Sequence, residues 1–163
     1  MSLLIRKINK AKWFQVDIVN NSDVSADAIT NCLKTTDNTL SVWNIENEEY
    51  LNNAILAIVS NQDHLETIDI VIIDQDSLEN KNVNIVISPG NIPILKLIDT
   101  HRDITDLTYS KLGFVKDFIV ESIRNDQLKR YTVGSLKKIL KNAIEEGYLR
   151  KTDLKPSLQV SIK

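Results

Sequence analysis

Apolar positions in this chain follow two periods. Alternation with period two predicts strands, and recurrence every three or four residues predicts helices. Residues 13–19 alternate, with Phe14, Val16 and Ile18 on one face and Gln15 and Asp17 on the other. Residues 40–45 carry the aromatic and β-branched types that suit a half-buried strand. Residues 68–73 are apolar on both faces apart from Asp69, the pattern of a central strand. Val83, Ile85 and Ile87 predict a further strand over 83–87. Leu158, Val160 and Ile162 predict a last one over 157–162.

Helical spacing fills the gaps. Residues 25–34 open with Ser25 as an N-cap, and residues 47–60 open with Asn47. Glu48 and Glu49 then fall in a first turn, where they complement the helix dipole. Leu112, Val115, Phe118, Ile119 and Ile123 predict a helix within 107–127. Val133, Leu136, Ile139, Leu140, Ala143 and Ile144 form one arc over 133–146, and Gly147 is placed to end that helix. Strands and helices alternate to residue 88, after which helices dominate. The expected fold is α/β or α+β, a single mixed sheet of about five strands flanked by helices, with a helical C-terminal portion. No repeat occurs, and the only Pro/Gly-rich interruption, 88–93, is too short for a linker. One domain over 1–163 is expected, an α/β core at 1–104 and a mainly helical extension at 105–163 ending in a strand.

Composition narrows the classes. Hydrophobic content of 42% with 26% charged residues is that of a packed domain rather than a disordered chain. Cys32 is the one cysteine, so no internal disulfide forms, and with two histidines no Cys/His zinc set exists. With four glycines and neither a GxGxxG nor a GxxxxGK[ST] pattern, the two common glycine-loop routes to nucleotide binding are closed. No metal or cofactor is expected. The first residues hold no apolar run long enough for a signal peptide, and no segment nears the roughly 20 apolar residues of a membrane span. The expectation is a cytoplasmic protein without membrane contact.

Three places invite chemistry. Asp74 and Asp76 follow the apolar run 68–73, and carboxylates two apart on a strand end share a side and can meet one cation. The alternative explains more residues: Asp76 with Glu79 three positions on reads as a capping box for a short helix. Asp99, His101, Asp103 and Asp106 form a second cluster, in which a carboxylate would orient the histidine as a general base. No glycine-flanked serine or cysteine stands near it, and Thr105 or Asp106 reads as a helix cap, with Arg102 pairing to an aspartate. Cys32 on its helix reads as core, and His64 in a polar stretch as exposed.

Charge supplies the third place. Residues 1–128 hold 11 basic and 19 acidic side chains, whereas 129–163 hold 9 and 3, giving balances of −8 and +6. Lys129, Arg130, Lys137, Lys138, Lys141, Arg150 and Lys151 are the candidate partner-binding residues. Nucleic acid is the alternative ligand for them, opposed by the low pI of about 5.7, by Glu145 and Glu146 on the same helix, and by an uninterrupted helix where a helix-turn-helix would break. Glu145 is also one turn from Lys141, within pairing reach. The residues favour a non-enzymatic protein-interaction module, of the adaptor, assembly-subunit or immunity type found in bacterial accessory systems. A nucleic-acid binder using the basic helix is the alternative, and a small enzyme using the His101 cluster a third reading.

Overall fold

The computed structural model of the chain describes residues 2–18, 20 and 23–162. Six strands form one sheet: β1 (Leu3–Ile8), β2 (Leu40–Ile45), β3 (Ile68–Asp74), β4 (Asn84–Ile87), β5 (His101–Thr105) and β6 (Leu128–Tyr131). Their order is β4-β5-β2-β1-β3-β6, and every neighbouring pair is antiparallel. Helices α1 (Lys10–Trp13), α2 (Ala26–Cys32), α3 (Leu51–Ser60), α4 (Gln75–Glu79), α5 (Tyr109–Arg124), α6 (Val133–Glu145) and α7 (Pro156–Ser161) flank it. The class is α+β, with one sheet and a helical C-terminal portion as expected. Among the described residues no helix is long and apolar enough to cross a membrane.

The sheet has a core on each face, which makes three layers. Ile68, Ile70 and Ile72 of β3 join Leu3 and Ile5 of β1 against α3, α6 and α7. Val71 and Ile73 of β3 join Leu4 and Ile8 of β1 against α2 and α5. Period-two alternation thus sends successive apolar residues of the same two strands into opposite cores, so each carries an unbroken apolar run, residues 3–5 in β1 and 70–73 in β3.

The helix ends follow their local chemistry. Ser25 accepts from the Ala28 N–H to start α2, and Asn47 accepts from the Glu49 N–H in the turn before α3. Thr132 starts α6 by accepting from the Ser135 N–H. At its far end Gly147 sits at φ +76°, with its N–H on the Ile144 carbonyl and the Tyr148 N–H on the Ala143 carbonyl. This is a Schellman ending, which needs the left-handed residue that glycine supplies without strain.

Four expectations change. Residues 157–161 are helical, because Leu158 and the capping Ile162, four apart, are both buried while Val160 is exposed. Pro156 occupies the first turn, where its missing N–H costs nothing. Residues 13–18 are not a strand: Trp13 ends α1 and Ile18 is buried, whereas Phe14 and Val16 are exposed. Val19, the last residue of that expected strand, lies outside the described residues. Leu3–Ile8 is the strand that the sheet holds between β2 and β3. Finally, residues 101–105 and 128–131 are strands, so the portion after residue 104 contributes β6 to the sheet itself.

The connection between β4 and β5 folds down on Trp43, and Gly90 is the residue that permits it. A Cβ there would lie 2.7 Å from Trp43 Cη2, whereas a Cβ on Gly113, inside α5, would meet nothing within 4 Å. Gly90→Ala should therefore lower stability by about 1–3 kcal/mol through forced repacking. Gly113→Ala should raise it by about 0.5–1 kcal/mol through helix propensity alone. Urea midpoints of the two variants check this, and equal shifts would mean that the close approach at Gly90 is absent.

Candidate functional site

The strand end at residue 74 is a cap. Asp74 Oδ1 accepts from the Ser77 N–H at 2.7 Å and starts α4, while Glu79 accepts from the Gln75 side chain at 2.7 Å. The capping role is as expected, but it falls to Asp74 instead of Asp76, because the strand runs one residue further than its apolar pattern. Asp76 is exposed in the first turn. The two carboxylates therefore do different jobs. Among the described residues no group of three His, Cys, Asp or Glu side chains is arranged to hold a metal.

His101 begins β5 and faces Trp43 across the β2–β5 ladder, with the rings edge to face at 4.9 Å. Its Nδ1–H donates to the Ser88 carbonyl at 2.7 Å, so that nitrogen is engaged by the backbone. Two of the acids around it are engaged elsewhere. Asp103 accepts from Ser41 Oγ at 3.1 Å, and Asp106, at φ +53°, accepts from the Asn84 amide at 2.8 Å. Arg102 donates to the Asp99 and His101 carbonyls, not to a carboxylate, and Thr108, not Thr105 or Asp106, caps α5. Among the described residues the ring of His101 has no carboxylate partner, so the general-base arrangement expected of this cluster is not assembled. Cys32 is buried and accepts from the Asn9 N–H through Sγ, and His64 is exposed.

The seven basic candidates divide into two groups. Lys129 pairs with Glu48 at 3.1 Å, Arg130 grips Asp69 through two bonds of 2.7 and 3.0 Å, and Arg150 pairs with Asp153 at 2.9 Å. The carboxylate of Asp69 holds the Arg130 guanidinium above the ordinary arginine value, chiefly by their hydrogen bonds. Asp69 is itself buried, so this pair neutralises a charge that could not otherwise sit inside the sheet. Lys137, Lys138, Lys141 and Lys151 have no ion pair among the described residues, and the Lys141–Glu145 pair does not form. Lys138, Lys141 and Lys151 are exposed, and Lys137 is half-buried.

The sheet edges were not foreseen as a site, and they differ sharply. β6 ends one side with Lys129 and Arg130, charges of the kind that discourage a further strand. β4 ends the other side as Asn84-Ile85-Val86-Ile87, with Val86 44% and Ile87 66% exposed. Leu95, in the connection that follows, is 82% exposed. Alternate residues of β4 direct N–H and C=O groups away from β5, where no strand among the described residues meets them. The signal in the sequence was the unbroken apolar run 85–87, which alternation alone does not require. No family model, curated protein or solved structure matches this chain.

Loss of the cap separates the two aspartates. Asp74→Ala should cost about 1 kcal/mol, Asp74→Ser should retain most of that, and Asp76→Ala should change stability by a few tenths at most. Chemical denaturation of the three variants measures it. A larger loss at Asp76 would return the cap to that residue.

Proposed function

We propose that this chain is a cytoplasmic, non-enzymatic protein-interaction module that binds an extended segment of a partner protein along β4. The observation that carries the reading is the bare β4 edge, apolar at Val86 and Ile87, on a sheet whose opposite edge is guarded by charge. A strand added there would pair the outward backbone groups and cover the two side chains. Two copies of β4 pairing with each other would span only about 13 Å, too little for the roughly 1,200 Å² of a specific dimer. An extended segment of another protein, continuing past the strand end, fits the edge better. Adaptor, assembly-subunit and immunity roles in bacterial accessory systems are the class of work that suits such a module.

A second reading rests on α6. Lys137, Lys138, Lys141 and Lys151 lack carboxylate partners among the described residues, which favours an acidic protein surface or nucleic acid as their ligand. One experiment separates the two. Tagged protein is used to capture partners from nuclease-treated host lysate. The panel is the natural chain, a Val86→Lys/Ile87→Lys variant, and a Lys137→Glu/Lys138→Glu/Lys141→Glu variant. The edge variant should lose at least tenfold of a stoichiometric protein partner with its unfolding midpoint unchanged, and the helix variant should keep it. The reverse pattern moves the site to α6. Finding no nuclease-resistant protein partner overturns the module reading.

A further inference from the structure

β1 and β2 are in register only over Leu3–Ile5 and Trp43–Ile45, and beyond Ile5 the two strands part. Arg6 fills the gap. Its Nε and Nη2 donate to the Cys32 carbonyl at 3.2 and 2.7 Å, and its Nη1 donates to the Ser41 carbonyl at 2.6 Å. A guanidinium has five N–H groups, so two remain after these three bonds. Arg6 has no carboxylate partner among the described residues, although it is shielded enough for burial to lower its pKa from the ordinary arginine value. A shielded cation held only by carbonyl oxygens lacks the counter-charge such groups normally acquire.

The same parting of the strands opens a pocket of about 330 Å³. Arg6, Lys7, Trp43, Asn61, Asn91 and His101 contribute to its wall, and no aspartate or glutamate does. Two carboxylates are bound to residues of that wall, Lys7 and Ser41. Glu66 pairs with Lys7 at 2.7 Å, and Asp103 accepts from Ser41 Oγ. Each is already engaged, and neither reaches Arg6. The volume suits a small ligand, and the wall combines an indole with amides and two cationic side chains.

We infer that this pocket binds a small organic anion, an aromatic or apolar body bearing one carboxylate or phosphate group that takes the counter-charge position beside Arg6. The anion would accept from the two free N–H groups of Arg6, and the body would lie against Trp43. This site is independent of the β4 edge, and a protein partner there neither requires nor excludes it.

The probes are benzoate and phenyl phosphate, with benzamide as the neutral control. The readout is tryptophan fluorescence of the full chain. Trp43 lines the pocket, whereas Trp13 is buried in the opposite core, so Trp43→Phe should abolish the response. Benzoate or phenyl phosphate should give a saturable change that benzamide does not, and the tighter of the two identifies the anionic group. Asn91→Asp, an isosteric change in an exposed connection, adds a negative charge to the wall and should weaken binding at least tenfold with the circular dichroism unchanged. Arg6→Gln should do the same if it folds, and Asn91→Asp decides the matter if it does not. Equal response to benzamide, no saturable response to either anion, or undiminished affinity in Asn91→Asp overturns the proposal.

Discussion

The β1–β3 pair is the interaction on which the remainder of the structure depends. Its register runs over six residues, from Leu3 opposite Asp74 to Ile8 opposite Asp69, and both strands carry apolar side chains into both cores. In a sheet with one wet face, a slip of one residue would expose the whole apolar set and be heavily disfavoured. Here both faces are apolar, so hydrophobicity alone discriminates weakly against a slip. Polar contacts at the two ends of β3 tie it to its surroundings. At one end Arg130 of β6 lies opposite Asp69 and binds it through both oxygens. At the other, Asn44 donates to Ser2 and to Gln75, and the Gln75 N–H donates to the Ser2 carbonyl. A slip of β1 against β3 would break the contacts among Ser2, Asn44 and Gln75, while the Asp69–Arg130 pair fixes β3 against β6 and keeps a buried carboxylate paired.

With that pair placed, the rest divides into two unlike halves. On the β3–β6 side the sheet is closed: α5 packs on β3, and β6 presents charged residues to the outside. On the β2–β5–β4 side it is unfinished. β2 leaves β1 after three paired residues, and β4 is four residues long with an apolar outer rim. Arg6 shows how the first defect is tolerated, since its guanidinium satisfies the Ser41 carbonyl of the departing β2 and the Cys32 carbonyl at the end of α2. Among the described residues no strand covers the outer edge of β4.

Much of the fold was legible because local rules and tertiary packing agreed. Leu40–Ile45, Ile68–Asp74, α2, α3 and α6 stand where period, cap and Gly147 put them. The failures occur where two periods fit the same residues. Leu158, Val160 and Ile162 satisfy a period of two, but Leu158 and Ile162 also satisfy a helical turn, and Pro156 favours the latter. Phe14, Val16 and Ile18 alternate, yet Leu3–Ile8, with no alternation to advertise it, takes the central place because it alone can fill both cores. Of the site, the basic character of 129–163 was readable, but not that Arg130 answers an aspartate 61 positions earlier. Such pairings are set by strand order, which no local pattern encodes.

The contrast between the edges carries a further step. A bare apolar edge invites unwanted pairing, and the usual remedies are charge, proline, a bulge or a covering element. This chain applies the first at β6 with Lys129 and Arg130, and it fixes both through Glu48 and Asp69 so that they also stabilise the fold. The same remedy at β4 would take a single lysine in place of Val86 or Ile87, since neither is needed by the core and both are exposed. Stability therefore does not explain why these positions are apolar. Shortness limits the hazard, because four residues offer an aggregating strand little ladder, while a longer segment that also contacts the neighbouring surface gains enough to bind. An edge that is short, apolar and uncovered is thus matched to a partner that reaches beyond it and mismatched to its own copy.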